Sequence, residues 1–275
     1  MERGLGWCHP DVVKFCHPGL IPILERLDYP MVSIDTSLIG FARSANNAPP
    51  RHLGTRYSAD GRFLKEPGNT VVSHVTAGTP SHAAILAVRD RLMSMPEAGQ
   101  FAFTHASSLH MTIFQGIIEY RRRQPYWPTD MARDTPIDVM TSHFRDKLRN
   151  FAPLSPFRAR ITEVTPLGLT LEGDSVDDRR CLREWRDAFS GVFGYRHPDH
   201  DDYVFHITFA YIIGWLADAV LPRWQEVLAE QLAYLKERSP VVDLDPPAFC
   251  SFEDMNHFEE LIVFGRSTKT VRNAP

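Results

Sequence analysis

The sequence predicts an α+β protein of two similar lobes, each an antiparallel-rich sheet with helices on its outer side. Three observations carry this. Runs that alternate apolar and polar residues, as half-buried strands do, are interleaved with stretches whose apolar residues recur every three or four positions, as amphipathic helices do. Their order is strand, helix, strand in the first half and strand pair, helix, strand, helix, strand in the second. Each half also carries one short motif, His-x-Thr inside an alternating run: Ser108-Leu109-His110-Met111-Thr112-Ile113-Phe114 and Phe205-His206-Ile207-Thr208-Phe209.

Composition bounds the possibilities. A chain of 275 residues with 43% hydrophobic and 11% aromatic residues buries a sizeable core. The formal net charge of −4 argues against a surface built for long duplex nucleic acid, while leaving room for a small basic site. Four cysteines (Cys8, Cys16, Cys181, Cys250) in so long a chain are no disulfide framework. Met1-Glu2-Arg3 is not followed by the basic and apolar runs of a signal peptide, so a cytoplasmic protein is expected; separately, a monomer is expected.

Residues 1–55 read as a poorly defined N-terminal extension, with a short helix over Leu20 to Leu27 and a linker at Ala45-Asn46-Asn47-Ala48-Pro49-Pro50. Removing residues 1–50 is expected to leave a folded protein. Cys8-His9 and Cys16-His17 supply four metal-ligand types, but as adjacent pairs rather than at chelating spacing, so no metal is assigned. Residues 56–265 form the domain proper, in lobes of about 56–152 and 153–265, and residues 266–275 are a tail.

Within the domain, Thr70 to Val75 is a β-branched strand, and Thr79-Pro80-Ser81 caps a helix over His82 to Met95. Strands follow at Phe101 to Phe103 and Leu109 to Ile118. Glu119 to Asp134 breaks the pattern; its Arg121-Arg122-Arg123 run is either a solvated loop or a phosphate attractor at a cleft mouth. A helix over Ile137 to Phe151 ends at Pro153 and Pro156. Phe157 to Ile161 and Leu167 to Leu171 form a hairpin pair, and Ser175 to Phe193 a helix. Tyr195 to Asp202, with His197, Asp199 and His200, reads as a solvated loop. Tyr203 to Ile213 is the second motif strand, Asp218 to Lys236 a helix and Phe258 to Phe264 the last strand. Tyr203 to Leu221 is apolar enough to suggest a membrane span, but His206, Asp218 and the strand-like alternation reject it.

Strand parity fixes what the motifs present. His110 and Thr112 share one face and Leu109, Met111 and Ile113 the other; His206 and Thr208 point one way, and Phe205, Ile207, Phe209 and Tyr211 the other. The pair of motifs resembles the 2H phosphoesterase superfamily, whose members include LigT-like RNA ligases and cyclic phosphodiesterases. More narrowly, the chain is similar to the DUF1868 subgroup over roughly residues 55 to 265. That similarity rests on Gly68-Asn69-Thr70-Val71-Val72, Ser107-Ser108-Leu109-His110-Met111-Thr112, Arg122-Arg123 with Trp127-Pro128, and Phe205-His206-Ile207-Thr208. The resemblance implies that the lobes are pseudo-symmetric and face each other, so that the His-x-Thr strands line a central cleft.

The chemistry follows from the groups. Opening a cyclic phosphodiester needs one proton removed from water and one given to the leaving oxygen. Imidazoles titrating near 6.5 can do both. Thr112 and Thr208 offer hydroxyl donors to the charge on the phosphoryl oxygens. The catalytic set is therefore His110, Thr112, His206 and Thr208, with Arg122, Arg123 and Trp127 as substrate-binding candidates, Trp127 or Tyr126 for base stacking. No cofactor is expected, and the superfamily's metal independence agrees. The expected substrate is a small cyclic phosphate, a nucleotide or an RNA end, including 2′,5′ linkages. The alternative is a module that binds such ligands in the same cleft without turning them over.

Overall fold

The computed structural model describes residues 33–265. The expected short helix at Leu20 to Leu27, the Cys8-His9 and Cys16-His17 pairs and the tail lie outside the described residues. The chain runs through a one-turn helix α1 (Thr36–Ile39), strand β1 (Gly68–His74), helix α2 (Pro80–Met93), and strands β2 (Phe101–Phe103) and β3 (His110–Ile118). Helix α3 (Ile137–Leu148), the hairpin β4 (Ala159–Thr165) and β5 (Gly168–Gly173), and helix α4 (Val176–Phe193) follow. Then come β6 (Phe205–Thr208), β7 (Ala210–Ile212), helix α5 (Leu221–Arg238), β8 (Val241–Val242), β9 (Ala248–Phe252) and β10 (Glu259–Val263).

The α+β class is as the sequence predicts. The halves, however, are joined edge to edge in one curled antiparallel sheet, in the order β10-β9-β1-β3-β6-β5-β4-β8. The seam is the β3–β6 pair, centred on Met111 opposite Ile207. The motif strands are thus neighbours in a single sheet. The C-terminal strands β9 and β10 complete the first half's side of the sheet by pairing β9 with β1. β9 has no counterpart in the sequence-based strand assignment, because Pro246 and Pro247 mask the start of Ala248–Phe252.

Local chemistry accounts for the helices. Thr79 accepts a hydrogen bond from the His82 amide at 3.2 Å and Pro80 opens α2, so the first-turn donors are partly satisfied. Ser175 and Asp178 form a reciprocal capping box at α4, which ends on Gly194 in the left-handed conformation at φ +78°. The apolar faces of the longer helices cover one face of the sheet: α4 lies on β3 and β5, α5 on β4, α3 on β1. Between them sit Met111, Ile113, Phe114, Trp185, Phe189, Ile207 and Trp224, all at most 1% exposed. The opposite, polar face of β3 and β6 is thereby left to the cleft.

Three expectations change. The strand expected over Tyr203 to Ile213 breaks at Phe209, whose amide bonds Leu167 O at 2.7 Å; β6 stays in the large sheet and β7 pairs with β2. The break reverses parity, so Tyr211 lines the cleft instead of sharing the core face of Ile207. The extension before residue 56 is attached over its described part. Leu38 and Ala42 are core residues, the Arg43 amide bonds Leu216 O at 2.7 Å, and Trp215 Nε1 donates to Ala48 O at 2.6 Å. Lastly, the loop Tyr195 to Asp202 is not uniformly solvated: His197 and His200 are each 5% exposed. Among the described residues no helix is long and apolar enough to cross a membrane, and the stretch weighed for a span is strand and short helix.

Candidate active site

The site begins with sheet register. An antiparallel pair centred on Met111 and Ile207 sets Thr112 across from His206 and His110 across from Thr208. Facing residues lie about 5 Å apart and diagonal ones about 7–8 Å, so the two histidines are diagonal neighbours across the seam, each with a threonine directly opposite. All four side chains line one cleft of about 670 Å³.

Both imidazoles are fixed the same way. His110 Nδ1 donates to Ser108 O at 2.6 Å and His206 Nδ1 to Val204 O at 3.0 Å, each the carbonyl two residues back. A carbonyl oxygen only accepts, so Nδ1 carries the proton and Nε2 is the nitrogen that titrates in each ring. Their surroundings differ. Phe258 packs on His110 with ring centroids 4.2 Å apart, and His74, ion-paired to Glu260 at 3.1 Å, stands 6.0 Å away. Burial, with the charges of His74 and His206, pushes His110 down to about 3 against the Ser108 hydrogen bond. Burial lowers His206 as well, but the Val204 carbonyl and the Asp199 carboxylate oppose it. The Tyr203 ring stands 6.0 Å from His206, and burial pushes its hydroxyl up to about 12.

Local irregularities in β3 keep the motif aimed correctly. Val71 and Val72 face Phe114 and Thr112, so Ile113 is an extra residue in the ladder. Ile113 and Phe114 therefore both enter the core, and Gln115, not Phe114, returns to the cleft. The bulge carbonyl, Ile113 O, accepts from buried Arg186 Nη1 at 2.8 Å. On the other side of β6, Gly168 lies at φ +144°, and a Cβ there would stand 2.0 Å from Ile207 O. Only glycine lets β5 approach the strand that carries His206.

The remaining expected residues divide. Arg123 lines the cleft. Arg122 does not: it is ion-paired to Glu119 at 2.7 Å and donates to Arg133 O and Thr135 O. Trp127 is fully buried, with Nε1 on Met131 O at 3.2 Å and Arg122 over its ring, so it cannot stack on a base. Tyr126 does reach the cleft wall.

Sequence reasoning missed a whole wall of the cleft. Arg51, His52, Thr55, Arg56 and Tyr57, from the segment taken as an extension or turn, face the motif strands. Arg56 pairs with buried Glu66 at 2.5 Å and lies over Tyr211 at 5.2 Å. The polar–aromatic Arg51 to Tyr57 run has no periodicity, which is why it gives no sequence indication of its place. His200 bonds Asp187 at 2.9 Å, and among the described residues no group of three or more His, Cys, Asp or Glu is placed to hold a metal ion.

Comparison with known proteins places the chain. A family model described as 2H-phosphodiest, domain of unknown function (DUF1868), matches residues 56–170, which include the first motif. The crystal structure of ATU0111, a conserved protein of unknown function from Agrobacterium tumefaciens str. C58, is 50% identical to this chain. The match covers 84% of this chain and 100% of that one with a TM-score of 0.84. No curated protein matches.

Proposed function

The chain belongs to the 2H-phosphodiest (DUF1868) family, a phosphoesterase-type family, and on that premise we propose that it opens a cyclic phosphodiester or 2′,5′ linkage on a nucleotide or RNA end. The observation that carries this is the pair of His-x-Thr motifs on adjacent strands, each imidazole held through Nδ1 on a backbone carbonyl and lining the cleft.

In this reading His110 is the general base and His206 the general acid. Burial against Phe258, with His74 nearby, favours a neutral His110, whereas Asp199 favours an imidazolium at His206. His110 Nε2 takes a proton from water as its oxygen bonds phosphorus. The bond from phosphorus to one ribose oxygen breaks, and His206 Nε2 gives that oxygen its proton. Thr112 and Thr208 donate to the non-bridging oxygens, where negative charge concentrates. The product is a phosphomonoester, and the two imidazoles exchange protons with solvent to reset.

The test is phosphorus NMR on a panel of 2′,3′-cyclic nucleotides, 2′,5′-linked dinucleotides and short RNA ends. Wild-type protein is expected to convert at least one of them, and His110→Ala and His206→Ala to convert none. Binding without conversion by the wild type would replace this reading with a non-catalytic module.

A further inference from the structure

We propose that the cleft holds a second anion subsite, built from Arg121 and Arg123 beyond Thr112 along β3, which takes a phosphoryl group other than the one being cleaved. This deepens the phosphoesterase reading and rests on it. Gln115 and Gly116 continue the cleft wall from Thr112, and at about 3.3 Å per residue Gln115 stands some 7–10 Å along it. Arg121 folds back over them, with Nη1 to Gln115 Oε1 at 3.3 Å and Nη2 to Gly116 O at 3.4 Å, both long hydrogen bonds. Its Nε is buried with no partner.

The guanidinium lies 4.6 Å from the Tyr126 ring centroid, and that of Arg123 lies 5.9 Å from it. Among the described residues neither arginine has an ion-pair partner, in contrast to Arg56 with Glu66 and Arg122 with Glu119. His197, 5% exposed, lines the same wall with its ring 5.0 Å from Tyr126; burial holds it neutral and its ring N–H goes to the Gln115 carbonyl, so the anion is left to the two arginines. From the opposite wall, His52 is pushed down to about 4 by burial and by the charges of Arg56, Arg51 and Arg121.

Four arginines against two carboxylates, Glu66 and Asp199, make this cleft positive in a chain of formal net charge −4. A desolvated guanidinium with unfilled donors is costly alone and well matched to a phosphate, which accepts two parallel N–H bonds. The ligand chemistry is therefore a nucleotide with two phosphoryl groups. The second is either a terminal 5′-phosphate or the next phosphodiester of a short oligonucleotide.

Isothermal titration with adenosine 2′-monophosphate, adenosine 2′,5′-bisphosphate and 2′-phosphorylated diadenosine monophosphate separates these sources. At least one two-phosphate ligand is expected to bind wild-type protein tenfold or more tightly than the monophosphate. The gap should shrink with added salt, as exposed charge attraction does. Arg123→Gln, at an exposed position, and Arg121→Gln should each remove most of that gap, and His110→Ala should keep it. Arg123→Gln decides if Arg121→Gln unfolds. Equal binding of all three ligands, or a preference surviving both arginine substitutions, overturns the subsite and leaves the two-histidine reading standing. No binding of any of them to wild-type protein overturns both.

Discussion

At the residue scale, the two histidines are alike in anchoring and unlike in surroundings. Because neither His110 nor His206 contributes to the helix-covered core, His110→Ala and His206→Ala are expected to melt close to wild type while losing about 10²–10⁴-fold in turnover. A variant that retains near-wild-type turnover would remove that histidine from the mechanism. The pH profile carries the asymmetry. Both rings sit below their ordinary range, His110 at about 3, so the limbs of the pair's titration are displaced to the acid side. The profile of kcat/KM is therefore expected to be a bell with its optimum on the acid side of pH 6.5, unchanged by exhaustive chelation. An optimum above pH 7, or activity lost to EDTA and restored by zinc, would contradict two-histidine catalysis in the free protein.

At the element scale, strand spacing matters more than side-chain identity. Gly168→Ala places a Cβ against Ile207 O at a backbone conformation that L-residues avoid. A loss of at least about 1–3 kcal/mol is expected, with reduced turnover because β6 must shift. Calorimetry showing an unchanged melting temperature would mean that β5 and β6 can part without cost. The N-terminal segment behaves as part of the body. Leu38→Ala should cost about 2–5 kcal/mol, as for other buried leucines, and deleting residues 1–50 should destabilise the protein instead of leaving it intact. It would also remove a core helix and one tether of the Arg51 to Tyr57 wall.

At the scale of the whole molecule, several buried histidines make the fold acid-sensitive. His52, His110, His197, His200 and His206 are all held below the 6.5 of an unfolded chain, chiefly by burial. Between pH 6.5 and about 3 the unfolded state binds more protons than the folded one. Their contribution is thus fully present above 6.5 and is lost as pH falls through that window. Denaturant midpoints should be level near neutrality and drop progressively below pH 6.5. A flat profile down to pH 4 would show that these rings are hydrated in solution.

The sequence by itself determined what is local or repeated. Helical periodicity placed α2 and α4, with the Thr79 cap marking the start of α2, and period-two alternation put His110, Thr112, His206 and Thr208 on polar strand faces, because these properties depend on neighbours a few residues away. Tertiary structure decided what depends on distant partners. Sheet pairing made β3 and β6 neighbours, and the bulge at Ile113 and the break at Phe209 reset parity where a pairing strand, not composition, dictates the register. Arg121, Arg122 and Arg123 are indistinguishable as a charge run. Only the position of Glu119, Tyr126 and the cleft wall gives Arg122 a carboxylate and leaves its two neighbours facing the cleft. Trp127 was drawn inward for the same reason: a large apolar ring is stabilised more by the core it meets than by a site it was expected to serve.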